Sequence, residues 1–571
     1  IAPGQCGCGE IDTPGCDGAS MDGWTVLTPA PDTRILYVSS SEGSDAGGYR
    51  YSTLDEVGGD AFNPLPGTYE PYETIQAAYD DLRDGKPDWV LLRRGDEWDF
   101  GSSRLWWTKD GPAADRRQVL SAYGPVQDPR PKLIFDSPGI SLGNGSGHQR
   151  NLVFAHLHLY AANDGMGSQA HAGIGALIID DAVSEIANIL IEGVLFDSGH
   201  NAPLIMQNQS GSGKIVNVIV RRSVIYNTYR SAAYFTGYSD VLLEECVFVE
   251  TGLRWSFDNP SGGLDQQCLY LQDGSPQNID NVRVVRSIFV DLSSTAIQAR
   301  SGGRVNENLF VRCPMAIAPL GNDGYESDGL DAGEAIDNVI LQANDMPAGR
   351  GNRGWGIGIQ NLDGGLVSGN IIASLEGRHP SGIGVSASQP NQTEPGSVQI
   401  LENVIYNHGW DALVFQDNGG LMSAHVDGNT FYDDVTELPS EAGWLDLLVR
   451  SRESDEANNE NYSFGANHYY GNANLWPESS WFDGWDGVVD LASWLAYSGD
   501  GGGLSASDPW QRDTEVTIEA FLESGLVSPM SYEDWRAALA EQRLGAWDAS
   551  LEAKVAINWF RVGFGKEELP E

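Results

Sequence analysis

NILIEGVLFDSG (188–199), NVIVRRSVIYNT (217–228), DVLLEECVFVET (240–251) and NVRVVRSIFVDL (281–292) state one theme four times. It returns as GRVNENLFVRC (303–313), NVILQANDMPA (338–348), GLVSGNIIASL (365–375), VQILENVIYNH (398–408) and SAHVDGNTFYDD (423–434). Val, Ile, Leu and Phe alternate with polar residues at period two, the mark of a half-buried strand rather than a helix. Successive copies start roughly 22 to 41 residues apart, the spacing of a solenoid whose loops vary from coil to coil.

A second run follows most of the first. Its copies include APLIMQNQ (202–209), SAAYFTGY (231–238), QCLYLQDG (267–274), TAIQARSG (295–302), MAIAPLGN (315–322), WGIGIQNLD (355–363), SGIGVSAS (381–388) and DALVFQDN (411–418). Strict alternation predicts two inward columns. One runs Leu204, Ala233, Leu269, Ile297, Ile317, Ile357, Ile383, Leu413; the other runs Met206, Phe235, Leu271, Ala299, Pro319, Ile359, Val385, Phe415. The same alternation turns a column of small residues outward: Pro203, Ala232, Cys268, Ala296, Ala316, Gly356, Gly382 and Ala412. Such a column makes a trough for a chain-like ligand. Tyr234, Tyr270 and Gln298 are expected to line it, with Asp181, Gln272, Arg300 and Gln360 near the strand ends.

Two short strands per coil without intervening helices predict a parallel strand stack, in which each coil closes its core only against its neighbours. The pattern resembles the right-handed parallel β-helix of the pectate-lyase-like superfamily over roughly residues 65–450. The fold expected is therefore all-β, a right-handed parallel β-helix. The resemblance implies a carbohydrate-active enzyme.

Four regions are expected. Residues 1–23 carry Cys6, Cys8 and Cys16, and PGQCGCG within them resembles the linker of thrombospondin-type-3-like repeats. Residues 24–118 read as an N-terminal strand and helix cap, with the helix opening at Thr74 and Arg93 and Arg94 in cap salt bridges. Residues 119–450 form the β-helix body. Residues 451–571 read as a wrapping segment and a C-terminal helical cap, with Ser531 and Asp534 at a helix start and Trp535, Leu539, Trp547, Leu551, Val555 and Trp559 as a packing stripe.

The chain has 34 Lys and Arg against 80 Asp and Glu, a net charge of −46. That field opposes nucleic acid and anionic membranes as partners, and it suits a salty, marine setting. No apolar run is long enough for a membrane span. The chain opens at Ile1, and we expect a mature, secreted protein acting as a monomer. Cys246 and Cys268 are expected to fill the wall as small apolar residues.

Residues 213–313 carry ten basic and ten acidic residues, a neutral interruption that suits an anionic polymer as substrate. Hydrolysis of a glycosidic bond needs two carboxylates flanking it. Asp265 and Asp273 are the first candidates, Asp258 and Asp181 the reserves, and Tyr270 a further catalytic candidate. Arg254 and Arg300 would hold a carboxylate or sulfate in bidentate forks. Gln272, Gln298, Gln360, Tyr234, His200 and Asp181 complete the binding set. A polysaccharide lyase is the rival reading, with His200, Tyr270 and Arg300 as its set; Lys214 is the only central lysine, and that scarcity favours hydrolysis. A noncatalytic glycan-binding solenoid is the third. None of these reactions requires a cofactor. Calcium is the metal left open, at the acidic loop of Asp323, Glu326, Asp328 and Asp331.

Overall fold

The computed structural model describes residues 23–47, 50–136, 138–142, 148–162, 171–178, 185–199, 202–208, 214–253, 267–272, 282–300, 302–321, 332–346, 354–360, 362, 364–376, 381–387, 396–408, 411–417, 422–433, 447–451, 462–471, 482–484, 487–489, 491–504 and 508–570. The chain is a parallel β-helix. Its strands fall into three ladders rather than the two expected per coil. Each long apolar run breaks into two strands at one residue of left-handed backbone. Glu245, Arg286, Glu307, Asp337 and Glu402 hold φ of 50–57° at such breaks. A left-handed residue turns the chain without an insertion, so the apolar rhythm runs through the corner unmarked.

The chain divides into two compact units. In the unit made largely of residues 1–199, the first ladder runs Ile35–Val38, Trp89–Arg93, Gln118–Tyr123, His148–Ala155, Glu185–Glu192 and Lys214–Arg221. The helix Ile75–Asp81 buries Ile75, Ala78 and Tyr79, and Thr74 Oγ1 caps it by accepting from Ala77 N at 3.3 Å. His156 sits in this unit at 8 % exposure, its ring 5.4 Å from that of Trp24.

In the unit made largely of residues 225–540, the third ladder runs Ala233–Thr236, Leu269–Gln272, Thr295–Ala299, Met315–Leu320, Trp355–Gln360, Ser381–Ala387, Asp411–Asp417 and Leu447–Ser451. Both inward columns are buried as expected, except that Leu320 takes the slot assigned to Pro319. A register shift after Ile317 inserts one residue and moves Pro319 off the core face. Cys246, Cys268 and Cys313 are buried free thiols.

A buried asparagine ladder joins the coils of this unit. Asn338 donates from N and Nδ2 to Asn370 Oδ1 at 3.0 and 2.9 Å, and Asn370 does the same to Asn403 Oδ1 at 3.0 and 2.8 Å. The chain of bonds begins at Ser287 and Asn308 and continues through Asn429 and Asn467. It ends on the Asp500 carboxylate, which also accepts from Tyr469 Oη at 2.7 Å.

The C-terminal helices pack beside the coil stack. Ile518–Leu522, Tyr532–Ala540 and Ala553–Gly563 lie along its flank. Arg536 bridges Glu250 at 3.1 Å and Asp291 at 2.8 Å, Arg312 meets Glu519 at 2.5 Å, and Gln342 Oε1 accepts from Ile518 N at 3.2 Å. Glu250, Asp291, Arg312 and Gln342 are left-handed corner residues of successive coils, and their side chains form a row the helices read. Ser531 caps as expected, its Oγ accepting from Asp534 N at 3.1 Å. Trp535, Leu539, Leu551 and Trp559 are buried in packing.

Two expectations follow. Asn370→Ala strips the acceptor from Asn338 and the donors from Asn403 inside the wall. It is expected to cost roughly 3 kcal/mol or more, read as a lower denaturant midpoint. Burial first, then the Arg94 and Arg130 guanidiniums, lower His156 to about 3. The unfolded chain accepts that proton below about pH 6.5 and the folded one refuses it, so this stability is complete above pH 6.5 and drains as pH falls toward 3. The thermal midpoint should fall through that window, and His156→Gln should flatten the fall.

Candidate functional site

The third ladder of the larger unit offers the outward face on which the sequence places its candidates. Its strands do not alternate strictly from their first residue. Gly356 and Gly382 are buried, and a Cβ at either would strike Ile372 at 2.9 Å or Ile405 at 2.7 Å. Ala232, Cys268, Ala296, Ala316 and Ala412 are buried at 0–1 % exposure. The column of small residues therefore turns inward at a corner and forms no trough. A corner places two consecutive side chains on the core side, and pure period-two reading cannot register it.

Outward positions come instead at three-then-two spacing. One column runs Gln267, Thr295, Met315, Trp355 and Ser381. The next runs Tyr234, Tyr270, Gln298, Ala318, Gly358, Gly384 and Val414. A third holds Thr236, Gln272, Arg300, Gln360 and Ser386. The middle column is the floor of a groove along the coil axis. It carries stacked phenols at one end, 4.6 Å apart and 3° from parallel, and sinks where Gly358 and Gly384 replace them.

There a cavity of about 310 Å³ opens, lined by Gln298, Pro319, Trp355, Gln360 and Ser386 over the two glycines. A Cβ at Gly384 would meet nothing within 4 Å, so the floor is open above it. Gln298 is 8 % exposed, and its Oε1 has no hydrogen-bond partner among the described residues. A buried acceptor left unpaired costs free energy that a ligand donor recovers.

At the aromatic end the Arg300 guanidinium lies 5.1 Å from the centre of the Tyr270 ring, a cation–π contact. The Tyr270 hydroxyl donates to Gln272 Oε1 at 2.5 Å. Burial raises Tyr234 above the usual phenol range, and Arg300 offsets part of that rise. Tyr234 is thus a hydrogen-bond donor at neutral pH.

Six predicted residues share this face: Tyr234, Tyr270, Gln272, Gln298, Arg300 and Gln360. Asp181, His200, Arg254, Asp258, Asp265 and Asp273 lie outside the described residues, as do the linker resemblance at 1–22 and the acidic loop proposed for calcium. The described residues contain no group of three or more His, Cys, Asp or Glu arranged to hold a metal, and no helix long and apolar enough to cross a membrane. Trp355, Gly358, Gly384 and Ser386 were missed. Their signal was the aligned WGIGIQ and SGIGVS, which place two glycines two residues before polar ones.

Much of the basic charge between 213 and 313 is taken up elsewhere. Arg221 pairs with Glu192, Arg286 with Glu244, Glu245 and Glu307, Arg304 with Glu334, and Arg312 with Glu519. Arg300 faces the groove, against Tyr270.

No family model matches the chain, and no curated protein matches it. Among solved structures it is similar to a mannuronic acid specific polysaccharide family 6 lyase from human gut microbiota, at 12 % identity and TM-score 0.42, over 84 % of this chain and 95 % of that one. It is similar to the alginate lyase AlyF-OU02, at 12 % identity and TM-score 0.44, over 70 % and 83 %. A third is the GH87 alpha-1,3-glucanase of Streptomyces thermodiastaticus, at 12 % identity and TM-score 0.34, over 83 % and 69 %. Likenesses this distant carry no argument about what this chain does.

Gly384→Leu fills the open floor without touching the core. The variant is expected to keep its unfolding free energy within about 1 kcal/mol and to lose at least tenfold in affinity for a ligand of this groove, read by titration calorimetry.

Proposed function

We propose that this chain is a secreted enzyme that degrades an anionic polysaccharide, bound in the groove along the third ladder. The observation that carries the reading is the in-register row of Tyr234, Tyr270 and Gln298, with Arg300 over Tyr270, leading into the cavity above Gly358 and Gly384. Stacked rings offer faces to sugar rings, amides pair with hydroxyls, and a guanidinium fork suits a carboxylate or sulfate. Apolar and polar groups converging on one concavity are the general form of a ligand site.

Hydrolysis is the reaction we favour. Asp265 stands two residues before Gln267 in the chain and Asp273 directly after Gln272, so both flank the strand that carries Tyr270. One would protonate the leaving oxygen and the other would act as base or nucleophile. Tyr270 and Gln272 would orient the sugar, and Arg254 and Arg300 would hold its acid group. One observation favours β-elimination as the second reading: Arg300 lies against Tyr270, so a cation able to stabilise an enolate sits beside a phenol able to move a proton.

A panel of sulfated and uronate polysaccharides tests both. New reducing ends without ultraviolet absorbance at the product double bond mean hydrolysis; both signals together mean elimination. Asp265→Asn and Asp273→Asn should each lower kcat at least 100-fold with binding retained. Full activity in both variants removes that pair, and silence from the native protein across the panel leaves the noncatalytic solenoid.

A further inference from the structure

Arg93 and Arg94 are neighbours in sequence and part ways in the fold. Arg93 pairs with Glu42 at 2.6 Å, as a cap arginine should. Arg94 turns under the surface to 5 % exposure, and its side chain makes no hydrogen bond or ion pair among the described residues. Its backbone lies beside a second buried arginine: Gly95 N donates to Pro129 O at 2.9 Å, and Arg130 follows at 6 % exposure. Arg130 spends Nε on Gly193 O at 2.8 Å and Nη2 on Gln542 O at 2.5 Å. The residue after Gln542 is Arg543. Its Nη1 meets Glu541 Oε2 at 3.1 Å, and its Nε is buried without a partner among the described residues.

Three arginines thus come from three adjoining chain segments, joined by the Gly95–Pro129 backbone bond and by the reach of Arg130 to Gln542 O, and each carries five N–H donors. The described acceptors for them are two carbonyls and one Glu541 oxygen. The carboxylates that bear on them are few and point to water: Glu541 is 75 % exposed at its side chain, and Asp128 is exposed. His156 offers no negative charge. Burial and mutual repulsion lower Arg94 to about 10 and Arg130 to about 9. In a protein of net charge −46, an uncompensated positive knot under the surface is the reverse of what the composition supplies.

We propose that Arg94, Arg130 and Arg543 form a binding site for a free inorganic oxyanion, sulfate or phosphate. A tetrahedral oxyanion presents several acceptors at once and matches paired guanidinium forks better than a single carboxylate does. Arg94 and Arg130 are too deeply buried, at 5 % and 6 % exposure, for a polymer chain to lie against them. The bound ion ties the segment 541–547 to the coil corners at Arg94 and Arg130. This site shares no residue with the groove and does not depend on the reaction assigned to it.

The test is calorimetric titration of the full chain with sodium sulfate and with sodium phosphate, in a buffer free of both. A saturable site near one ion per chain is expected. The thermal midpoint should rise further in sulfate than in sodium fluoride at equal ionic strength. Arg94→Gln and Arg543→Gln are each expected to weaken binding at least tenfold with unchanged circular dichroism. Arg304→Gln, which removes an exposed pair with Glu334, should bind as the native chain does. The proposal fails if neither ion gives saturable heat, or if both variants bind like the native protein. It also fails if sulfate raises the midpoint of the native chain and the variants equally, since that is a solvent effect.

Discussion

A buried file of asparagine side chains sets the register on which the rest of the larger unit depends. From Asn338 onward each amide oxygen accepts two bonds from the coil before, and the amide nitrogens donate to the next member of the file and to a strand carbonyl, as Asn370 does to Ala335 O at 2.7 Å. Nothing polar in the file is left over, which is the condition for placing amides in an apolar wall. The bonds all point one way, so their dipoles reinforce. The last acceptor, Asp500, needs no donor of its own, and a carboxylate suits that end. Because the coils from Ser287 to Asp500 are locked to one another at this corner, their outward side chains line up into columns. The groove is one consequence of that alignment.

Corner geometry then decides what those columns contain. Two consecutive core-facing positions at the start of third-ladder strands swing Gly356 and Gly382 inward against Ile372 and Ile405. They leave Gly358 and Gly384 facing out. The chain thus uses glycine twice for opposite ends. One pair lets neighbouring strands close on the core, and the other leaves space above the sheet. Aromatic rings in the same column at Tyr234 and Tyr270 give the groove a raised end and a sunken one.

Charge is distributed by the same architecture. Left-handed corner residues project from successive coils at fixed steps, and in the larger unit they hold the C-terminal helices by ion pairs and backbone bonds. Four arginines of the neutral stretch 213–313 that looked available for a substrate, Arg221, Arg286, Arg304 and Arg312, are engaged with carboxylates. Arg300 differs by facing the groove, and Arg94 and Arg130 by being buried without a carboxylate ion pair among the described residues.

The sequence by itself determined the parallel β-helix, the inward columns and the shared face of Tyr234, Tyr270, Gln272, Gln298, Arg300 and Gln360. Period-two apolar alternation is a property of local backbone, and each strand carries it in its own residues. Only the tertiary structure decided how many ladders a coil has, which small residues face out, where the asparagines stack and that the terminal helices lie along the flank. Those outcomes depend on residues far apart in the chain meeting across a corner. A left-handed turn, a register shift at Pro319 or an amide bonded to the next coil leaves no periodic trace in the run of residues that contains it.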